Sequence, residues 1–479
     1  MKTTKVFIIF SFILLAFTAG DIKNEYLLPD GAKTVSCYDI DLDGDLDIIT
    51  GHNSSTWIGC NILLNDSTGL FPNTDSIFFT SGLPDVKVNY FDNNSVPDIF
   101  SVSHTQDPYS INISVIYNYA QTQFDSIKSF YIYNDGPTPN ISCGDVNGDG
   151  YVDLLMAHNN NMIWGILYND GTGNFSYPEY HSLTYTAAAI NSADLNGDGL
   201  DEVIIGSMNI EVFYYTETGF ESLQLGQPQL LTGGRCIQPS DFDNDGDIDI
   251  IFTSMVWGPK TRVFFYENIG NNQFSQHPYF DFTPLCTFSH MADFNNDSLP
   301  DIVFIEWLGE NLQVYMNKEN FQLGGQILIP ITSVAFYGLS TGDLDFNGFN
   351  DIAVIKFAPS SVLKIFFNDG QGNFVDDPIT SINNGHFNKE IAIKGYPNPF
   401  KIQTTLKFTI EENSKVELLV FDLSGKLIIS LINNNLNRGT HLIKWNGTDL
   451  TGQACNPGSY IAFLKVNNKA LQTIKLLKI

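Results

Sequence analysis

The chain of 479 residues is poor in cations, with 24 Lys and Arg against 53 Asp and Glu and a formal charge of −29. The shortage is local. Residues 396–479 have ten Lys or Arg against five Asp or Glu, and the first 20 residues have two Lys and no acid, so residues 21–395 carry −36. A region this acidic repels a phosphate backbone, which excludes a nucleic-acid partner. It folds most readily when divalent cations neutralise part of its charge.

Long apolar runs, catalytic signatures and a cysteine framework are also missing. The chain has no internal run of 18 apolar residues, so no internal transmembrane segment is predicted. Neither G-x-S-x-G, H-E-x-x-H nor a P-loop occurs, so no catalytic residue is predicted. The spacing of the six cysteines matches no disulfide framework, and we interpret them as small buried strand residues while their pairing stays open. They are Cys37, Cys60, Cys143, Cys236, Cys286 and Cys455.

The N-terminus has the features of an export signal. Lys2 and Lys5 precede the apolar run 6–17, and Thr18-Ala19-Gly20 offers small residues for cleavage. This pattern predicts a signal peptide at residues 1–20, a mature chain that begins near Asp21, and no transmembrane segment after cleavage.

An acidic loop followed by an apolar run occurs seven times, at intervals of 47 to 55 residues. The copies are DIDLDGDLD (39–47), YFDNNSVPD (90–98), DVNGDGYVD (145–153), DLNGDGLDE (194–202), DFDNDGDID (241–249), DFNNDSLPD (293–301) and DLDFNGFND (343–351). A period of this length indicates a stacked supersecondary unit.

Strand signals fill the space between the loops. Each loop precedes a short buried run such as 48–50 or 203–205, and a later strand such as 163–168 leads into an Asn-Asp-Gly turn. Four antiparallel strands per repeat, with no helical period, predict an all-β fold with a seven-bladed β-propeller. Residues 22–28 add a strand that closes the ring, and 396–479 predict a small Ig-like β-sandwich. The predicted domains are therefore 21–390 and 396–479.

Oxygen-bearing side chains alternate along six of the loops, as a Ca²⁺ site requires. Positions 1, 3, 5 and 9 supply side chains, and position 7 supplies its backbone carbonyl because its side chain varies freely. The predicted structural Ca²⁺ ligands are Asp39, Asp41, Asp43, Asp45 and Asp47; Asp145, Asn147, Asp149, Tyr151 and Asp153; Asp194, Asn196, Asp198, Leu200 and Glu202; Asp241, Asp243, Asp245, Asp247 and Asp249; Asp293, Asn295, Asp297, Leu299 and Asp301; and Asp343, Asp345, Asn347, Phe349 and Asp351.

Three alternatives bear on this prediction. An EF-hand needs Glu at position 12, whereas the six loops have Thr50, Met156, Ile205, Phe252, Phe304 and Val354 there. Asx-rich turns without metal would leave several carboxylates in mutual repulsion. The second loop has Tyr90 at position 1 and Ser95 at position 6, so its calcium binding stays open.

Aromatic residues gather in the connection between the second and third strands, which topology places opposite the metal loops. The candidate ligand-binding residues are His52, Trp57, His104, His158, Trp257 and Trp307. Such residues stack on sugar rings or anchor a protein partner, and the alternative is that they pack between blades. Trp164 lies inside a strand and is predicted to be core.

The loop pattern D-x-[DN]-x-[DN]-G-x-x-[DE], its buried strand and the Asn-Asp-Gly-x-Gly-x-Phe turn resemble the FG-GAP/VCBS repeats of integrin-α-like propellers. The resemblance covers about residues 30–385. It implies that the calcium loop joins the first and second strands and that ligands bind on the opposite face.

The C-terminal segment resembles another family. YPNPF (396–400), DLSGK (422–426), WNG (445–447), GSY (458–460) and the end at 475–479 are similar to the type A sorting domain of type IX secretion. This resemblance implies a Bacteroidetes-type bacterium, interaction with the type IX secretion machinery, and a product that is attached to the cell surface or released.

Two function hypotheses follow. The first is a calcium-stabilised, non-enzymatic surface or secreted module that binds a glycan or protein in an adhesion-like role. The second is a polysaccharide-processing enzyme that uses the propeller face opposite the calcium loops, which would require paired carboxylates or a His–carboxylate pair there.

Overall fold

The structure is a computed structural model. It describes residues 25–54, 58–78, 85–92, 94, 96–104, 110–117, 126–133, 140–158, 162–226, 231–256, 260–283, 285–306, 311–331, 336–357, 361–370, 372–375, 393–396, 398, 400–410, 413–422, 426–450, 453–456, 458–466 and 469–478. The predicted signal peptide lies outside these residues. Within them, no helix has the length and apolar content needed to cross a membrane.

Seven antiparallel sheets follow one another after the short strand β1 (Glu25–Leu27). Blade 1 contains β2 (Ala32–Tyr38), β3 (Asp47–Asn53), β4 (Ile58–Leu64) and β5 (Asn73–Phe78); blade 2 contains β6 (Asp85–Asn89), β7 (Asp98–His104), β8 (Ser110–Tyr117) and β9 (Ser126–Tyr133); blade 3 contains β10 (Asn140–Gly144), β11 (Asp153–Ala157), β12 (Ile163–Leu167) and β13 (Glu179–Ser182); blade 4 contains β14 (Ala189–Ala193), β15 (Glu202–Gly206), β16 (Ile210–Thr216) and β17 (Gly219–Leu225).

The remaining three blades have the same strand order with small additions. Blade 5 contains β18 (Leu231–Ser240), β19 (Asp249–Val256), β20 (Lys260–Asn268), β21 (Phe274–Gln276) and β22 (Phe280–Phe282); blade 6 contains β23 (Cys286–Ala292), β24 (Asp301–Glu306), β25 (Asn311–Asn317) and β26 (Leu323–Pro330); blade 7 contains β27 (Phe336–Gly342), β28 (Asp351–Phe357), β29 (Ser361–Asn368) and β30 (Phe374–Val375). In every blade the acidic loop joins the first and second strands, as the resemblance implies.

The sheets form a closed ring. First strands contact one another in the order β2–β6, β10–β14, β14–β18, β18–β23, β23–β27 and β27–β2. Blades 2 and 3 share an apolar cluster that includes Phe100 and Met156. The architecture is therefore a seven-bladed β-propeller, which leaves few free sheet edges.

The N-terminal strand completes the last blade. β1 pairs antiparallel with β29, with Glu25 opposite Lys364 and Leu27 opposite Val362. The Lys356 ammonium donates to Glu25 Oε1 at 2.7 Å. Ring closure by this segment, predicted for residues 22–28, is confirmed for Glu25–Leu27.

The second strand of the blade is the most deeply buried element. Every residue of β11, β15 and β24 is buried, as is all of β3 except Asn53. Such strands pack a neighbouring blade on each face, which explains why they read as continuous apolar runs rather than alternating ones. No disulfide bond joins any of the six cysteines, and Cys60 and Cys286 are fully buried.

The C-terminal region forms two further sheets. Its strands are β31 (Lys394–Tyr396), β32 (Thr404–Ile410), β33 (Ser414–Asp422), β34 (Leu427–Leu436), β35 (Gly439–Trp445), β36 (Gly458–Val466) and β37 (Lys469–Lys478). They pair in the orders β31-β32-β35 and β34-β33-β36-β37. Leu406 and Trp445 of one sheet share a core with Leu418 and Leu464 of the other, so the region is a small β-sandwich.

The chain divides into two compact units, residues 1–380 and 381–479. The predicted boundary near residue 390 lies among residues 376–392, which are outside the described part of the chain.

Candidate metal centre in the acidic loops

Position 1 organises each loop by accepting backbone N–H groups. In loop 3, Asp145 accepts from Gly148 N and Gly150 N, each at 2.8 Å. The position 6 N–H donates to the position 1 carboxylate in five more loops, namely 1 and 4–7. Position 6 has a positive φ, 85° at Gly150 and 72° at Ser298, which explains the preference for glycine.

Positions 3 and 5 turn their side chains back onto the loop. Asn147 Oδ1 accepts from Asp149 N at 2.8 Å, and Asp149 Oδ1 accepts from Tyr151 N at 2.9 Å. Asn147 Nδ2 also donates to Asp149 Oδ2 at 3.1 Å, so the two side chains are held side by side. The loops thus present several carboxylate oxygens in a small space.

Three loops bring such oxygens within 4.8 Å of one another. The three groups are Asp39, Asp41 and Asp43; Asp241, Asp243 and Asp249; and Asp343, Asp345 and Asp351. Asp39 Oδ1, Asp45 Oδ1 and Asp243 Oδ1 are buried and have no hydrogen-bond partner. A hard divalent cation would satisfy these oxygens, so the residues fit the predicted calcium chemistry.

Position 9 lies beneath the loop and is the most buried acidic position. Asp249 is fully buried, with Phe242 N donating to Oδ2 at 3.0 Å and Asn268 N donating to Oδ1 at 2.7 Å. The pKa of Asp249 is raised to about 7, chiefly by desolvation; the two N–H donors oppose the rise, and the nearby Asp243 and Asp245 add to it. The same desolvation raises the pKa of Asp47 and of Glu202 to about 8. Carboxylates in this state lack a counter-charge.

Position 7 side chains make contacts of their own outside the loop. The rings of Tyr151 and Phe349 lie over Gly171 and Gly370, where an added Cβ would come within 2.3 Å of each ring. In loop 1, Asp45 Oδ2 instead accepts from Ser67 Oγ at 2.7 Å. The residue type at position 7 does vary, but the side chains of Asp45, Tyr151 and Phe349 each contact the turn that follows the third strand.

Loop 2 keeps the scaffold without the first ligand. Phe91 N donates to Asp98 Oδ2 at 2.8 Å, as in the other loops, and Asp98 is fully buried. Tyr90 at position 1 is exposed. Ser95 lies outside the described residues.

An asparagine at the end of the third strand connects loops 1, 3, 5, 6 and 7 to a neighbouring blade. Its backbone N–H donates to the position 9 carboxylate: Asn65 to Asp47 at 2.9 Å, Asn169 to Asp153 at 2.8 Å, Asn268 to Asp249 at 2.7 Å, Asn317 to Asp301 at 2.8 Å and Asn368 to Asp351 at 2.8 Å. Its Nδ2 also donates to the position 8 carbonyl of the same loop, at 3.0 to 3.3 Å.

The same Nδ2 crosses the blade junction to a position 2 carbonyl. The pairs are Asn65 with Leu344 at 2.8 Å, Asn169 with Phe91 at 2.9 Å, Asn268 with Leu195 at 2.6 Å, Asn317 with Phe242 at 2.7 Å and Asn368 with Phe294 at 2.7 Å. We call this arrangement the asparagine latch. The strand register assigns the corresponding positions to Tyr215 in blade 4 and to Asn118 in blade 2, which lies outside the described residues. Sequence reasoning missed the latch because these asparagines were interpreted only as hairpin turn residues.

The predicted ligand-binding residues are not brought together in the described part of the chain. His52 is fully buried, with its ring bonded to Thr50 Oγ1 at 2.7 Å and to Pro29 O at 3.1 Å. His158 is also buried and lies edge-on to Tyr180. Both imidazoles are buried, which for these two residues favours the alternative of packing inside the propeller over contact with an outside ligand.

The other candidates cannot be placed. Trp57, Trp257 and Trp307 lie outside the described residues, as does the side chain of His104. Trp164 is fully buried and stacks on His181 at 4.6 Å, so its predicted core position is confirmed.

The ring of seven sheets defines a class, the seven-bladed β-propeller in which an acidic loop joins the first and second strands of each blade. Comparison with family models gives the particular family. The FG-GAP-like repeat matches residues 145–205, 194–252, 241–304 and 293–354, and the secretion system C-terminal sorting domain matches residues 394–479. The chain therefore contains four FG-GAP-like repeats and a type IX sorting domain. That sorting domain indicates a protein secreted or attached at the surface of a Bacteroidetes-type bacterium, through the type IX machinery.

Solved structures with a similar arrangement are distant in sequence. The Dos1 propeller is 11% identical, with a TM-score of 0.43 over 73% of this chain and 95% of that chain. An Agrocybe aegerita lectin that recognises non-reducing terminal N-acetylglucosamine is 14% identical, with a TM-score of 0.43 over 75% and 95%. BBS1N in complex with ARL6DN is 11% identical, with a TM-score of 0.45 over 72% and 95%. No match was found among curated proteins.

Proposed function

We propose that the protein is a calcium-stabilised binding module that works outside the cell or at its surface. Structural Ca²⁺ in loops 1 and 3–7 neutralises the acidic clusters, and a glycan or protein ligand binds the face opposite the loops. The observation that carries the calcium assignment is the convergence of carboxylate oxygens within 4.8 Å in three loops, some of them buried without a partner.

The choice of face rests on what the loops already do. The connections between first and second strands, and the turns after third strands, are tied to each other by the latch on one side of the ring. The connections between second and third strands lie on the other side. By sequence they include Trp57, Trp257 and Trp307, and they are free of the repeat pattern. Loops that the scaffold does not constrain are where binding residues concentrate.

Calcium is tested by melting the mature full-length protein with excess Ca²⁺ and with a chelator. A cation that binds only the folded state stabilises it by about 2.7 kcal/mol per site at a hundredfold excess over Kd. We expect a clear rise of the melting temperature with Ca²⁺ and a smaller rise with Mg²⁺. Identical melting in Ca²⁺ and chelator would show that the loops are not structural metal sites.

The ligand is tested on glycan and matrix-protein arrays with the same protein. We expect binding that is lost in Trp57→Ala or Trp257→Ala and kept in Tyr90→Ala, a matched aromatic removal on the loop side. Loss of binding in Tyr90→Ala alone would assign the ligand to the loop face instead.

A further inference from the structure

Hydrogen bonds connect one acidic loop to the next around much of the ring. In loop 5, the Asp249 carboxylate accepts from Asn268 N at 2.7 Å, and Asn268 Nδ2 donates to Leu195 O at 2.6 Å. The N–H of Leu195 in turn donates to Glu202 Oε2 at 2.8 Å, and Glu202 is position 9 of loop 4. The path therefore runs from the buried acid of one loop to the buried acid of its neighbour.

The same path repeats at three further consecutive junctions. Loop 6 reaches loop 5 through Asn317, loop 7 reaches loop 6 through Asn368, and loop 1 reaches loop 7 through Asn65. In each case the residue whose carbonyl accepts the latch also donates its N–H to position 9 of its own loop, at 2.8 to 3.0 Å. Loops 1, 7, 6, 5 and 4 thus form one continuous chain across the point where the ring closes.

The junction between blades 3 and 4 is built differently. Tyr215 takes the latch position there, and its half-exposed ring packs on Phe220 with the ring centroids 5.2 Å apart. Asp201 of loop 4 makes the connection instead. Its N–H donates to Asp145 O at 2.8 Å, and its Oδ2 accepts from Asp145 N at 3.1 Å. This contact bypasses position 9 of both loops.

We propose that the asparagine latch couples calcium binding between adjacent loops, so that loops 1, 7, 6, 5 and 4 bind Ca²⁺ cooperatively and hold the ring closed together. This inference rests on the proposed calcium binding. Asp241, Asp243 and Asp249 repel one another until a cation joins them, and the cation then fixes Asp249, to which Asn268 is anchored. A fixed Asn268 orders Leu195 and with it Glu202, so the next loop loses less conformational entropy when it binds. By linkage the effect is reciprocal.

The test compares hydrogen exchange of individual loops in the mature full-length protein, with and without Ca²⁺. In Asn268→Ala, the bond from blade 5 to loop 4 is removed, whereas Asn317 still joins loop 6 to loop 5. We expect Ca²⁺-dependent protection of residues 194–202 to fall by about tenfold, within the usual range of coupling between sites. Protection of residues 293–301, the neighbouring loop on the other side, should fall much less, because its own latch through Asn317 is intact.

Tyr215→Ala is the matched control, because it removes a side chain at the same register position without a latch. Protection of residues 145–153 should be unchanged in this variant. If Asn268→Ala does not fold, Asn317→Ala gives an independent test, with loss expected at 241–249 and much less at 343–351.

Two results would overturn the coupling. Unchanged protection of 194–202 in Asn268→Ala would show that the latch transmits nothing, and equal loss at 194–202 and 293–301 would show a general weakening of the ring. A wild-type protein whose loops show no Ca²⁺-dependent protection would instead overturn the proposed function itself.

Discussion

The described junctions between blades are of two kinds. The contrast between them shows how a repeat protein can vary the contacts between its blades without changing the blades themselves. Five described junctions use the asparagine latch, which satisfies two buried carbonyls and one buried carboxylate with a single residue. The junction between blades 3 and 4 uses the backbone and carboxylate of Asp201 on Asp145. Both solutions pair buried polar groups, as any tight blade contact requires. Only the latch passes through position 9, the buried acid beneath each acidic loop.

The largest expected effect comes from breaking a latch. Asn317→Ala removes donors to Phe242 O and Pro300 O and an acceptor for Glu319 N. Each buried group left without a partner costs about 1 to 3 kcal/mol. We expect the free energy of unfolding to fall by about 3 kcal/mol, measured by urea denaturation in Ca²⁺. A loss under about 0.5 kcal/mol would mean that water replaces the latch.

Truncation of a side chain at the junction between blades 3 and 4 should lower the free energy of unfolding by less. Asp201→Ala removes one side-chain acceptor and keeps the backbone bond to Asp145 O. A loss of about 2 kcal/mol is expected, since a hydrogen bond to a charged group contributes about 1.5 to 3 kcal/mol. Denaturation in parallel with Asn317→Ala checks the order of the two values, and the reverse order would contradict the ranking of the junctions.

Acidic pH should destabilise the junction between blades 6 and 7 more than the junction between blades 3 and 4. First strands of blades 6 and 7 are joined by His290 Nδ1 and Thr341 Oγ1 at 2.9 Å, whereas blades 3 and 4 use Ser142 Oγ and Asn191 Oδ1 at 3.2 Å, which do not titrate. Burial, with a smaller contribution from the Lys87 charge, lowers the pKa of His290 to about 4, against about 6.5 for an unfolded histidine.

The folded state therefore binds fewer protons at His290 than the unfolded state does. The contribution of neutral His290 to the free energy of unfolding is complete above pH 6.5 and is lost as the pH falls towards 4. Between pH 6.5 and 5.5 the loss is about 1 kcal/mol. His290→Gln should remove this part of the pH dependence, while Ser142→Ala should leave it intact. Denaturation at the two pH values measures both, and an unchanged slope in His290→Gln would contradict the assignment.

The smallest effect is expected when a latch residue is introduced. Tyr215→Asn supplies the missing side chain in blade 4, but Asp201 already occupies the junction, so stability should change by less than about 0.5 kcal/mol. The double variant Tyr215→Asn with Asp201→Ala tests the substitution directly. Recovery of more than half of the Asp201→Ala loss would show that the two devices are interchangeable.

Much of the fold could be predicted from local patterns. The buried runs predicted at 48–50 and 203–205 lie within β3 and β15, and the strand predicted at 163–168 ends one residue earlier, at Leu167. These predictions succeed because apolar runs and turn residues act within a few positions. The acidic loops are equally local, since positions 1 to 9 close on themselves through Asp145, Asn147 and Asp149.

The latch and the burial of the histidines could not be predicted from local patterns. Asn268 and Leu195 are 73 residues apart, and Asn65 and Leu344 are 279 apart. An Asn-Asp-Gly turn has the same local signature whether or not its amide reaches another blade. His52 looked like a surface residue by its repeat position, but it is buried because its strand continues past it and Pro29 covers its ring.

The sequence by itself determined the number of blades, the carboxylates of each loop and the export tail, because each is written in a short motif that needs no distant partner. The tertiary structure decided which loops are joined. Closing the ring brings the end of each third strand against the preceding loop, and a buried carbonyl there requires a donor from whichever residue the neighbouring blade presents. In five described blades that residue is asparagine, and in blade 4 it is not.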